Sequence, residues 1–162
     1  MLLIASYVFY GSWDYRFLSL IILSTITDYY CGLKIHKAKS RSEKLPFLWL
    51  SLVMNLGLLG FFKYAGFFVQ SFADLLARFS IDSDIGILSI VLPVGISFYT
   101  LQTLSYTIDI YRGKLKPVDN FWTFSLFVSF FPQLVAGPIE RAVNLVPQLI
   151  EKRKPTVDDF LK

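Results

Sequence analysis

One cysteine, Cys31, and one histidine, His36, are all that this chain of 162 residues offers to sulfur or imidazole chemistry. A lone cysteine excludes an internal disulfide framework and any multi-cysteine metal site, and it leaves the redox compartment undetermined. His36 lies in a lysine-rich stretch with no nucleophile or ligand partner nearby in sequence, so it reads as a solvated loop histidine rather than a general base. There is no P-loop, no dinucleotide fingerprint, no metal-ligand cluster, no GxxxG pair and no internal repeat. Gly95-Ile96-Ser97 begins like a hydrolase nucleophile elbow, but Tyr99 stands where the second glycine is required and no strand precedes it. Charge is also scarce, at 17% of residues, with a net charge of +4. The basic residues gather in connecting stretches rather than along a stripe, which argues against nucleic acid as a partner.

Apolar residues fill the space that charge leaves. They make up 54% of the chain, aromatics make up 17%, and the mean hydropathy is +0.53, well beyond what a water-soluble domain of this length carries. Uncharged runs cover 1–13, 17–27, 45–62, 85–108 and 120–139. A bilayer core is roughly 30 Å thick and a helix rises about 1.5 Å per residue, so runs near 20 residues read as membrane spans. The stretch 16–33 also qualifies if Asp28 is accepted inside a protein-packed helix, at about 2.5 to 3.5 kcal/mol if it sat at mid-bilayer. A cleavable signal peptide would need a basic start, whereas the first positive charge here is Arg16. The opening run reads instead as a span whose beginning is missing, and the chain as a fragment.

Loop charge gives an orientation. Lys34, Lys37, Lys39, Arg41 and Lys44 face one acid, Glu43, and place this stretch in the cytoplasm by the positive-inside rule. Trp13 and Tyr15 around Asp14 suit an aromatic belt at the outer turn. Asp74, Asp82 and Asp84 outweigh Arg78 and put the next connection outside. Pro93 is tolerated in the first turn of a helix, so a span over 93–111 delivers Arg112, Lys114 and Lys116 to the cytoplasm. A full crossing over 120–139 would then carry Arg141, Lys152, Arg153 and Lys154 outside. Pro132 and Gly137-Pro138 break that run, and a re-entrant element that returns to the cytoplasmic face satisfies both charge and breakers. The expectation is an all-α, polytopic transmembrane helical bundle with spans over 1–13, 16–33, 46–72 and 93–111. A re-entrant segment over 120–139 and an interfacial or cytoplasmic helix over 155–162, opened by Pro155-Thr156, complete it.

Within the fourth span Tyr99, Gln102, Tyr106 and Asp109 recur every three or four residues and share one helix face. Polar stripes in spans mark functional paths, or they serve as hydrogen-bond glue between helices. Asn55, Lys63 and Gln70 form a similar stripe on the third span, where Lys63 can snorkel to an interface.

Three stretches carry a family likeness: Phe61-Phe62-Lys63-Tyr64; Leu92 to Tyr99, continuing through Asp109-Ile110-Tyr111-Arg112-Gly113; and Phe131-Pro132-Gln133-Leu134-Val135-Ala136-Gly137-Pro138-Ile139. Together they resemble the membrane-bound O-acyltransferases, closest to the bacterial alginate O-acetyltransferase branch, and the likeness runs over essentially the whole chain. The resemblance implies a larger many-helix enzyme of the bacterial inner membrane. It would pass an acyl group, acetyl in the closest branch, to hydroxyls of an exported polysaccharide. The acyl donor would arrive from the cytoplasmic side, accessory acetylation proteins could take part, and no bound cofactor or metal is implied. A histidine in a later apolar helix would act as the base, and this sequence has no counterpart to it, so the chain by itself is expected to be inactive. On this reading Tyr99, Gln102, Tyr106, Asp109 and Gln133 line the donor path and Arg141 helps hold an anionic donor, its simpler role being a positive-inside anchor. The competing class is a non-enzymatic membrane component, a transporter fragment or a scaffold subunit. A transporter should show matched broken helices in both halves, and only one strongly broken segment is present.

Overall fold

The computed structural model describes residues 1–79, 93, 95–137 and 141–150. Helix is the only regular structure among them: α1 (Leu2–Lys37), α2 (Arg41–Arg78), α3 (Ile96–Tyr111), α4 (Phe121–Ser129), α5 (Phe131–Ala136) and α6 (Ala142–Ile150). The expected 155–162 helix, Asp82 and Asp84, the bases of 152–154, and Pro138-Ile139 at the end of the expected re-entrant run lie outside the described residues.

Helix α1 is broken once, at Asp14, whose extended backbone (φ −160°, ψ 113°) separates an apolar first part from a longer second part. Asp14 then turns its carboxylate to the next helical start, accepting from the Arg16 amide at 2.9 Å and from Arg16 Nε at 3.1 Å. The basic stretch that reads as a loop is mostly helix. Lys34, His36 and Lys37 form the last turn of α1, where cations complement the carbonyl end of the helix dipole. Helix α2 begins at Arg41 rather than at Pro46, because Ser40 caps its first turn and Glu43 reaches back to the residue before the cap. Ser40 Oγ accepts from the Glu43 amide at 3.3 Å, and Glu43 Oε2 accepts from the Lys39 amide at 3.0 Å. Helix α3, in the place of the expected 93–111 span, starts at Ile96, three residues after Pro93, since Gly95 adopts a left-handed conformation (φ 75°) that a side chain would strain.

The 120–139 run divides in two. Asn120 caps α4, its side chain accepting from the amides of Trp122 (2.8 Å) and Thr123 (3.4 Å). Phe130 (φ −59°, ψ 100°) ends that helix, and α5 restarts with Pro132 in its first turn. Neither piece reaches across a bilayer: 9 and 6 residues rise about 14 and 9 Å. By length and composition α1 and α2, the latter over Arg41–Leu76, are the two described helices able to cross a membrane.

Helices α1, α2 and α3 pack on one another, and α4 and α6 close the far side of α1 and α3. The apolar centre is Tyr106, Phe124 and Phe127, with Tyr106 and Phe124 ring centroids 4.4 Å apart. Gly32 lets α3 come this close to α1, since a Cβ there would stand 2.9 Å from Tyr106 Cε1 and 3.0 Å from Ile110 Cδ1. Burial is otherwise inverted relative to a water-soluble protein. Among the described side chains of α2, the two buried ones are Ser51 and Asn55, while Val53 is 65% and Phe67 67% exposed. Helix α1 likewise buries Ser6, Ser24, Thr25 and Asp28 and presents Ile4, Val8, Ile22 and Ile26 outward. Polar groups inside and apolar groups outside are what a hydrocarbon solvent selects. This is a membrane protein.

Candidate functional site

Two polar assemblies occupy the bundle, and both begin with residues spaced one helical turn apart. The first joins three helices at Asp28, which is fully buried. Ser51 Oγ donates a short hydrogen bond to Asp28 Oδ1, and Thr107 Oγ1 donates to the same oxygen at 3.4 Å. Asn55 Nδ2 donates to Asp28 Oδ2 at 2.8 Å. Ser24 Oγ and Thr103 Oγ1 donate to Asn55 Oδ1 at 2.6 and 3.3 Å, so the carboxylate and its amide neighbour are both held. Each helix contributes an i,i+4 pair: Ser24 with Asp28, Ser51 with Asn55, Thr103 with Thr107. The sequence reading noticed Asp28 and Asn55 but not the hydroxyls. The repeated polar pair at four-residue spacing in three otherwise apolar helices was the signal that could have found them.

The second assembly is the α3 stripe. Tyr99, Gln102, Tyr106 and Asp109 are all buried. Gln102 Nε2 donates to the Phe127 carbonyl at 2.7 Å. That carbonyl lies one turn before the Phe130 break, where the ladder loses its next donor, so Gln102 satisfies what the break exposes. Tyr106 Oη accepts from the Val118 amide at 3.1 Å and fixes the connection into α4. Asp109 Oδ1 accepts from Arg141 Nη2 at 3.2 Å, and the Asp109 main-chain oxygen accepts from the Lys114 and Leu115 amides. Arg141 is 59% exposed at its side chain, so this ion pair joins a buried carboxylate to the bundle surface beside α6. The hydroxyls of Tyr99 and Tyr10 are buried without a partner where α3 begins, and Tyr10 Oη stands 3.1 Å from the position a Cβ on Gly95 would take. Gln133, on α5, is buried at 8% exposure.

The structure therefore brings Tyr99, Gln102, Tyr106 and Asp109 onto one buried face and ties Arg141 to its end. It separates the other stripe. Asn55 joins the Asp28 assembly, Lys63 Nζ lies 5.6 Å from the Tyr64 ring, and Gln70 Nε2 donates to Asp74 Oδ1 on an exposed surface at 2.9 Å. His36 is exposed at the end of α1. Among the described residues no group of three histidine, cysteine or acidic side chains could hold a metal ion.

The chain is 43% identical over 161 residues to a Pseudomonas aeruginosa protein named "Probable alginate O-acetylase AlgI", covering 99% of this chain and 31% of the relative. It is similar to proteins named as O-acetylases over nearly its whole length. The Azotobacter vinelandii protein of the same name is 41% identical across 99% of this chain and 32% of the relative. A Helicobacter pylori "Peptidoglycan O-acetyltransferase" is 35% identical across 93% of this chain and 32% of its own length. These relatives are the acyltransferases that the three motifs led one to expect. The chain spans about a third of the length of the curated relatives it matches. No family model and no solved structure matches it.

Proposed function

We propose that this chain forms part of a multi-pass O-acyltransferase of the bacterial inner membrane, one that transfers an acetyl group to hydroxyls of an exported cell-surface polysaccharide such as alginate. The observation that carries the reading is identity of 40% or more over 99% of the chain to proteins named as alginate O-acetylases. The inverted burial of α1 and α2 supports the membrane setting. The break at Phe130, between helices too short to cross, supports a re-entrant element over 120–139.

In this reading the chain supplies wall and scaffold. Of the stripe Tyr99, Gln102, Tyr106 and Asp109, Gln102 and Tyr106 hold α4 against α3 and Asp109 holds Arg141, and Gln133 is presented from α5 toward the path of an acyl donor entering from the cytoplasm. Arg141, anchored by Asp109 and half in solvent, is the cation available to an anionic donor at that mouth. A general base of the kind that contributes about 10²- to 10⁴-fold in rate has no candidate here, since His36 is exposed at a helix end, so the chain expressed by itself is expected to be inactive. The lipid bilayer, the polysaccharide, the donor and accessory acetylation proteins are the partners this implies.

The test is the acetyl-ester content of exported polysaccharide in cells whose gene for this chain is deleted and then restored. Deletion should remove the esters and the intact gene should return them. Gln133→Ala in that gene should leave about a tenth or less, the scale of a lost positioning contact. Unchanged ester content after deletion would overturn the assignment, and full activity of Gln133→Ala would remove Gln133 from the path.

A further inference from the structure

The short connection between α1 and α2 carries a basic cavity separate from the two polar assemblies of the bundle. Lys39, Arg41 and Lys44 line one open cavity of about 290 Å³ together with Tyr111 from the end of α3. Arg41 is not loose: its Nε donates to Tyr111 Oη at 2.9 Å, which fixes the guanidinium plane and leaves its terminal nitrogens for a ligand. The acid nearest in sequence, Glu43, is engaged with the backbone, its carboxylate accepting from the Lys39 amide at 3.0 Å, and it does not line the cavity. The ion pairs among the described residues are Arg16 with Asp14 and Arg141 with Asp109, so none of the three cations of the cavity is neutralised by a carboxylate. The cavity also sits at the start of α2, a helix of 38 residues, whose amide end adds positive potential.

We infer that this cavity is a phosphate-binding site, taking either the headgroup of an anionic phospholipid or a soluble phosphate ester. A guanidinium held in place presents a planar fork that matches two phosphate oxygens, and two lysines supply the remaining charge. A topology signal needs only positive charge on one side of the membrane. It does not need three cations converging on one concavity, nor a tyrosine from another helix holding one of them. The site is independent of the acyl-transfer reading and would stand if that reading failed.

The experiment uses the whole chain in nanodiscs and two probes. Inorganic pyrophosphate is titrated calorimetrically into phosphatidylcholine discs, and retention of phosphatidylglycerol over phosphatidylcholine is measured by native mass spectrometry. Binding of pyrophosphate identifies a soluble phosphate site, and selective retention of phosphatidylglycerol identifies a headgroup site; either supports the inference. Lys39→Gln with Lys44→Gln should weaken the positive probe at least tenfold. Arg41→Lys, which keeps the charge and loses the fork, should weaken it several-fold. Lys34→Gln with Lys37→Gln, one turn away on α1, should leave it unchanged. Neither probe binding, equal loss in the control pair, or full affinity in Arg41→Lys would each overturn the site.

Discussion

Asp28 puts the fold at risk from a single substitution. Its two oxygens, on α1, accept from donors on α2 and α3 in a site closed to water, so Asp28→Ala would strand Ser51, Thr107 and Asn55 donors together. An unpaired buried polar group costs about 1 to 3 kcal/mol, although partners found in the unfolded membrane state reduce the figure. Asp28→Ala is therefore expected to destabilise by about 2 kcal/mol or more, and Asp28→Asn, which keeps one acceptor, by less. Thermal unfolding of the purified chain in detergent, followed by helical circular dichroism, ranks the two. Equal midpoints for wild type and Asp28→Ala would show that the hydroxyl network closes without the carboxylate. Cys31, one turn from Asp28 and also buried, is the only thiol and is closed to reagents in the folded chain.

Helix boundaries follow from local chemistry more than from hydropathy. Apolar runs marked helix correctly, and two of those helices, α1 and α2, are long and apolar enough to cross a membrane. Their ends depended on side chains that hydropathy ignores. The Ser40 cap moves the start of α2 to Arg41, five residues before Pro46. Gly95 holds back the start of α3. At the next helix Asn120 accepts from two amides that have no other partner, so Asn120→Ala should cost about 0.5 to 2 kcal/mol at that terminus. Hydrogen exchange of the Trp122 and Thr123 amides should rise several-fold in the variant while amides in the middle of α1 keep their protection. Uniform loss of protection would mean that α4 is integral to the global core and does not fray alone.

At the scale of the molecule, orientation is the open quantity that charge makes testable. The break at Asp14 and the turn at Ser40 lie at opposite ends of the second part of α1, about 35 Å of helix apart. In a Cys31→Ser background, Asp14→Cys should react with a membrane-impermeant maleimide added outside intact spheroplasts, and Ser40→Cys should react only after permeabilisation. The reverse pattern would invert the topology, and labelling of both from outside would deny the crossing. The relatives' length bears on the same scale. A chain matching a third of each relative supplies helices whose outward apolar faces, Val53, Phe61 and Phe67 among them, can meet lipid or further protein.

The likeness to the O-acyltransferases came from three motifs; composition and period determined, without coordinates, that this protein is helical and built for a bilayer, with too few charges for water and runs long enough to cross. They also placed Tyr99, Gln102, Tyr106 and Asp109 on one face, because a helix repeats every 3.6 residues whatever surrounds it. What that face does was decided only by packing. Gln102 meets the Phe127 carbonyl because α4 breaks at Phe130, and Asp109 meets Arg141 across 32 residues of chain. Thr107 reaches Asp28 from 79 residues away. A helix face can be read from spacing, but its partner lies on another helix, and no local rule says which two faces the bundle will bring together.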